Sequence, residues 1–418
     1  MSPSSIANPI RCILLTLLLP AAFLLQPPSA AAKSKAQPEH WVGTWATANW
    51  DENNGKLHLG EQDITLREIV HPTLAGALVR VEVTNEFGTE PLTIGAAHIA
   101  LAGEKGAITL SSAQALTFNG TDSITIPPGA VVLSDPAALK VSAGTDLAVS
   151  IFLPAQTITH LSRHSDAYTT NFEADGNQVG HSSLHEPRTN TAWCFLKAVD
   201  VQAPGEDGAV VAFGDSITDG TGSTTDAHNR WVDVLAARLQ SDKHTSGLAV
   251  LNEGIGGNRV LNTGNGPSAL TRFNSDVLAL PGVRYLVILE SINDIGHLKD
   301  ELHPGQKITA EELIQGLTQM VERAHAHGIK VILATLTPYQ GASDSTAEGE
   351  AIRTQVNDWI RSYKYSDGVV DFDAATRDGT DPHRFNQSYQ IGDQLHPSPA
   401  GYKVMGDAFD LKLFRSDK

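Results

Sequence analysis

From residue 209 onward, short wholly apolar runs alternate with longer stretches of helical period. That alternation restricts the fold more than any other feature of the chain. Residues 209–213 form a continuous apolar run, the pattern of a strand buried on both faces. Residues 228–240 set Trp231, Val232, Leu235 and Leu239 on one helical face. Further strand-like runs fall at 249–252, 285–289, 331–335 and 369–372. Thr309-Ala310-Glu311-Glu312 reads as a capping box that opens a helix ending near Gly328. Another helix is expected over about 348–363, and Pro399 opens a closing helix that runs to about 411. Repeated strand–helix units predict a parallel sheet covered on both faces. Right-handed crossovers then line up the strand ends, and the loops after them, along one edge.

Residues 38–200 read differently. Over 78–84, Val79, Val81 and Val83 face one way and Arg80, Glu82 and Thr84 the other, the period of a half-buried strand. Short runs recur at 108–110, 123–126, 131–133 and 147–153. Turn residues separate them, among them Asn119-Gly120, Pro127-Pro128-Gly129 and Ala143-Gly144. Many short strands without helical period predict an all-β sandwich or jelly roll. The segment 201–208, with Pro204 and Gly205, marks the boundary. The expected organisation is a signal peptide over 1–32, a β-rich accessory domain over 38–200 and an α/β domain over 205–418.

The leader expectation rests on Arg11 as the one charge in 1–32, an apolar stretch over 13–25, and the small residues Ser29-Ala30-Ala31-Ala32. Cleavage near Ala32 would leave an exported protein, periplasmic or extracellular. The stretch is too short for stable membrane insertion. Cys12 lies in the leader, so Cys194 cannot form an internal disulfide and is expected as a small buried apolar residue. The net charge of −17 repels phosphate backbones and argues against nucleic acid as a partner.

Four segments carry chemistry. Ser216 follows the 209–213 strand within Gly214-Asp215-Ser216. It is expected at the carboxyl end of the sheet, as a nucleophile, although Asp-Ser equally suits a helix cap. Asp393-Gln394-Leu395-His396 brings a carboxylate and an imidazole to one tight turn, where Asp393 can orient His396 as a base. Asn252 to Asn258 is a glycine-rich segment after a strand, which allows a backbone N–H to approach a substrate; it lacks the full Gly-x-Gly-x-x-Gly spacing of a dinucleotide-binding loop. Asn293 emerges after the 285–289 strand with a side-chain amide suited to holding an oxyanion. No metal-ligand cluster is evident, and the chemistry requires no cofactor.

Gly-Asp-Ser, glycine, Asn-Asp and Asp-x-x-His, in this order over roughly 205–418, resemble the SGNH hydrolases, also called GDSL esterases and lipases. The resemblance implies a flavodoxin-like three-layer α/β/α domain. It implies Ser216 as nucleophile and His396 with Asp393 as base and orienting acid. Gly257 and Asn293, with the Ser216 N–H, would form the oxyanion hole. The upstream region, with Trp41-Val42-Gly43-Thr44-Trp45, looks like that of exported bacterial members with an extra β-domain. One departure is Ser291, where the family usually has glycine. A required positive φ there would cost of order 1–3 kcal/mol. The implied activity is hydrolysis of carboxylic esters, with short acyl or acetyl esters, including O-acetylated carbohydrate, as the expected substrates. An acyltransferase using the same residues, or a weakened glycan-binding protein, are the competing readings.

Overall fold

The computed structural model describes residues 40–299 and 306–415. Five parallel strands form the central sheet: β1 (Gly208–Gly214), β2 (Leu248–Gly254), β3 (Val283–Leu289), β4 (Lys330–Ala334) and β5 (Gly368–Val370), in the order β2-β1-β3-β4-β5. This is the flavodoxin-like order, in which chain direction across the sheet reverses beside β1. The connection from β1 to β2 therefore runs opposite to those from β3 onward, and right-handed crossovers send their helices to opposite faces. Helix α1 (Ser216–Asp219) follows β1, and α2 (Trp231–Ser241) packs on β2 and on α8 (Pro399–Asp407). The other face carries α3 (Ala269–Phe273), α4 (Ile292–Gly296), α5 (Ala310–Ala326) and α6 (Ala347–Ser362).

Several elements differ from expectation for local reasons. The helix expected from 228 starts at Trp231, because the Asp233 carboxylate accepts the Arg230 N–H and stops the first turn there. Residues 371–372 leave the strand: Asp371 accepts the Ala374 N–H and caps α7 (Phe372–Thr376). Residues 108–110 form an isolated bridge at Ile108 and then a 3-10 turn over Leu110–Ser112, not a strand. The capping box at Thr309 and Glu312 forms as read, and Gly328 terminates α5 at φ 74°.

Upstream lies an all-β region whose sheets are antiparallel throughout. One larger sheet orders His40–Ala46, Leu196–Ala203, Val79–Thr84 and Val131–Leu133. The other has six strands, centred on Ile64–Val70 and Leu147–Leu153. Val79, Val81 and Val83 from the first sheet and Leu147, Val149, Ile151 and Leu153 from the second are fully buried in a common core, as a sandwich requires. Cys194 is free and buried. Residues 201–203 belong to the last β-region strand, so the link to β1 is only residues 204–207. The proposed leader and Cys12 lie outside the described residues. Among the described residues, no helix is long and apolar enough to cross a membrane.

The β-region docks on β2, an edge strand of the parallel sheet. An edge strand carries unpaired backbone groups. Here the Thr73 hydroxyl accepts the Val250 N–H at 2.9 Å and donates to the Val250 carbonyl at 3.1 Å. Gly43 comes so close that a Cβ would lie 2.8 Å from the Leu251 side chain. Deeper in, the Arg272 guanidinium is 3% exposed and joins the strand ends. It donates to the carbonyls of Gly214 (2.9 Å) and Glu253 (2.8 Å), to the Asn258 side chain (2.9 Å) and to Asp276 (3.1 Å). Lys197 of the β-region reaches the same Asp276 at 2.6 Å.

Replacing Arg272 with Met would leave Asp276 and two carbonyls short of donors in a dry site. We expect Arg272→Met to cost about 3–5 kcal/mol in urea unfolding; a loss below about 1 kcal/mol would contradict this role. Glu68, in Ile64–Val70, is buried with one carboxyl oxygen on the Cys194 N–H. Burial pushes it up to about 8, against the opposing pull of that N–H and of Arg163. A raised folded-state pKa stabilises below the unfolded value of about 4.3, and that contribution is lost as pH rises toward 8. The thermal midpoint of Glu68→Gln should therefore fall less than that of the parent between pH 5 and pH 8; equal slopes would contradict it.

Candidate active site

The sheet order puts the carboxyl ends of β2, β1 and β3 side by side. In register, Gly214 pairs with Gly254 on one side and Leu289 on the other. The loops after β2, β1 and β3 carry Gly257, Ser216 and Asn293 respectively. Only glycine fits at 214, where a Cβ would lie 2.3 Å from the Thr218 hydroxyl and 2.5 Å from the Leu289 carbonyl. Asp215 caps α1 by accepting the Ile217 N–H at 2.9 Å. Burial raises the Asp215 pKa despite that bond. Capping thus falls to Asp215, and Ser216 stands at the first helical position, where a helix leaves its N–H without an intrahelical acceptor.

The Ser216 Oγ lies 2.9 Å from His396 Nε2, and His396 Nδ1 lies 2.6 Å from Asp393 Oδ2. The other carboxyl oxygen of Asp393 accepts the backbone N–H groups of His396 (2.9 Å) and Leu395 (3.0 Å). Burial opposes ionisation of Asp393, but the His396 N–H and ring and the Leu395 N–H outweigh it and hold the carboxyl below its usual range. An ionised Asp393 assigns the imidazole proton to Nδ1 and leaves Nε2 to accept the serine hydroxyl. Gln394 at φ 62° and Gly392 at φ 112° make the turn. The Tyr402 hydroxyl donates to the Thr221 carbonyl at 2.7 Å and ties α8 to the loop after Ser216.

The glycine-rich loop is held at both ends. Gly257 sits at φ 77°, and the neighbouring Gly256 N–H donates to Asp219 Oδ2 at 3.1 Å. Asn293 donates one amide proton to the Asn258 carbonyl at 3.0 Å. Asp294 accepts the N–H groups of Val260 (2.7 Å) and Leu261 (3.2 Å). Burial lifts Asp294 to about 6 against those two donors. Ser291 takes φ 110° and ψ −19°, so the positive φ that was conditional in the sequence is present. It is fully buried, and its hydroxyl has no partner among the described residues.

Two residues here escaped sequence reasoning. Asp219, at the end of α1, accepts from the glycine loop and is itself met by His164 Nε2 at 3.2 Å. His164 belongs to the β-region strand His160–His164, and its Nδ1 is 2.7 Å from the Ala48 carbonyl. Both ring nitrogens face acceptors; burial works against the charged ring, but Asp219 and the Ala48 carbonyl outweigh it and raise its pKa. Nothing in the local sequence distinguishes this His from the other fifteen.

Residues 212–404 match the model of the GDSL-like Lipase/Acylhydrolase family. None of the curated proteins compared matches the chain. Among solved structures, a protein assigned to the lipolytic G-D-S-L family from Desulfitobacterium hafniense is 26% identical; the match covers 48% of this chain and 97% of that one, with a TM-score of 0.38. A GDSL-like lipase from Bacteroides thetaiotaomicron is 22% identical, covering 49% of this chain and 87% of that one, with a TM-score of 0.37. A catalytic mutant of an acetylxylan esterase from Geobacillus stearothermophilus is 22% identical, covering 50% and 94%, with a TM-score of 0.39. With the matched stretch running from inside β1 into α8, residues 212–404 are a GDSL-like lipase/acylhydrolase domain, an α/β/α unit that follows an all-β region.

Proposed function

We propose that the chain is an exported serine esterase that cleaves short acyl or acetyl esters, O-acetylated carbohydrate included, through an acyl-enzyme on Ser216. The 2.9 Å approach of Ser216 Oγ to His396 Nε2 carries this reading. His396 takes the serine proton as Oγ attacks the ester carbonyl, and Asp393 holds the resulting imidazolium. The N–H groups of Ser216 and Gly257 and the second amide proton of Asn293 receive the oxyanion. His396 then protonates the departing alcohol, and afterwards activates the water that releases the acid. The His396 side chain is 19% exposed and that of Asp393 40%, so the base and its partner lie near the surface. That suits an ester displayed on a large polar alcohol better than a buried acyl tunnel would. The leader-like segment 1–32 supports export.

Ser216→Ala should lower kcat on an aryl acetate by at least ~10³-fold while leaving the unfolding curve within error. Asn293→Ala should lower kcat by roughly 10²–10³-fold with KM little changed. A Ser216→Ala protein that retains turnover would rule out the triad.

A weakened enzyme is the second reading, because Ser291 occupies φ 110°. Its strain and buried hydroxyl are destabilising, and glycine would remove both at the cost of extra unfolded-state entropy. Asn293 is anchored to the Asn258 carbonyl, which argues that its amide is already in place. Ser291→Gly should therefore raise stability by about 1 kcal/mol in chemical denaturation, with kcat unchanged within ~3-fold. A tenfold or larger rise in kcat would show instead that Ser291 displaces the oxyanion donors.

A further inference from the structure

Away from Ser216, three side chains from distant parts of the chain meet at the seam between the two regions. His71 follows Ile64–Val70, Asp146 precedes Leu147–Leu153, and His228 precedes α2. His71 Nδ1 lies 2.6 Å from Asp146 Oδ1, and His228 Nε2 lies 3.4 Å from the same oxygen. The two imidazoles stack at 3.8 Å with an interplanar angle of 20°. His228 presents its ring from a backbone at φ 45°. His71 and His228 also line a cavity of about 260 Å³ with Thr73, Gly144, Ala236 and Gln240.

We propose that His71, Asp146 and His228 form a divalent metal site of the zinc class that clamps the β-region to α2. Two imidazole nitrogens and one carboxylate oxygen are the donors that zinc takes in three-residue sites, with water completing the tetrahedron. The three donor atoms lie within 4.8 Å of one another. Bonds of about 2.1 Å at tetrahedral angles require donors roughly 3.4 Å apart. The His228 to Asp146 spacing already meets that, and the shorter His71 to Asp146 contact needs Asp146 to withdraw by less than about 1 Å. The adjoining cavity has room for the water. The site is separate from the ester chemistry: none of the three residues belongs to the segments bearing Ser216, Gly257, Asn293 or His396. A competing account makes the cluster plain glue, two stacked rings sharing one carboxylate, with no affinity for metal.

The test uses the mature protein, treated with chelator and dialysed, and Zn²⁺ itself as the probe. Calorimetry should show binding of about one ion at this site, and the thermal midpoint should rise as Zn²⁺ is added. His71→Gln and His228→Gln should each weaken that binding by at least ~10-fold and abolish the thermal shift. Turnover of an aryl acetate by each variant reports that it is folded. Zn²⁺ binding that is absent, or unchanged in both variants, overturns the proposal. If the variants do not fold, a crystal of the parent protein soaked in Zn²⁺ decides: anomalous density among the three side chains supports the site, and density only elsewhere, or none, overturns it.

Discussion

One buried cation determines where the reacting loops start. Arg272 donates to the carbonyl of Gly214, two residues before Ser216, and to the carbonyl of Glu253 at the end of β2. It also holds the Asn258 side chain, while the Asn258 carbonyl anchors Asn293. Its ring-plane contact with Phe213, 4.0 Å from guanidinium to centroid, keeps the charge dry beneath the site. A planar guanidinium can bond several acceptors at fixed angles, which a lysine cannot. The acceptors crowd around it: Glu253 and Glu290 are fully buried close by, and burial drives both pKa values well up. The ends of β1 and β2 are thus joined by one side chain, which reaches the loop after β3 through Asn258, before any substrate arrives.

The β-region is part of that arrangement. Thr73 satisfies the edge of β2, Lys197 shares Asp276 with Arg272, and His164 holds Asp219, which holds the Gly256 N–H. An edge strand without the Thr73 contacts would offer Val250 to other chains. A glycine loop without Asp219 would lose the acceptor of its Gly256 N–H, and preorganised donors are what oxyanion stabilisation demands. The described residues accordingly form one compact unit even though two fold classes meet in it.

The parallel sheet was legible because buried strands and amphipathic helices write their periods locally. The alternation over 78–84, the apolar run over 285–289 and the capping box at Thr309 each need only a few neighbouring residues. Ser216 and Asn293 follow buried strands directly, which suggested their place at one edge, whereas Gly257 was singled out, and Asp393 and His396 were joined to them, by the order of motifs that resembles the SGNH hydrolases. The 108–110 segment misled because an apolar triplet is too short to separate a strand from a bridge followed by a turn. His164, Arg272 and the trio His71, Asp146 and His228 left no trace, since each acts through partners up to 157 positions away and none belongs to a period or motif. The φ of Ser291 could be posed only as a condition, because a single residue type does not declare a left-handed backbone.

The central claim is that the hydroxyl at 216 becomes covalently acylated because His396 removes its proton. The most direct measurement is mass spectrometry of the protein after brief exposure to a fluorophosphonate, followed by peptide mapping. The account predicts one adduct, on the peptide bearing Ser216, formed at a rate that collapses when His396 is replaced by Ala. An adduct on another residue, or labelling of Ser216 as fast without His396 as with it, would contradict it.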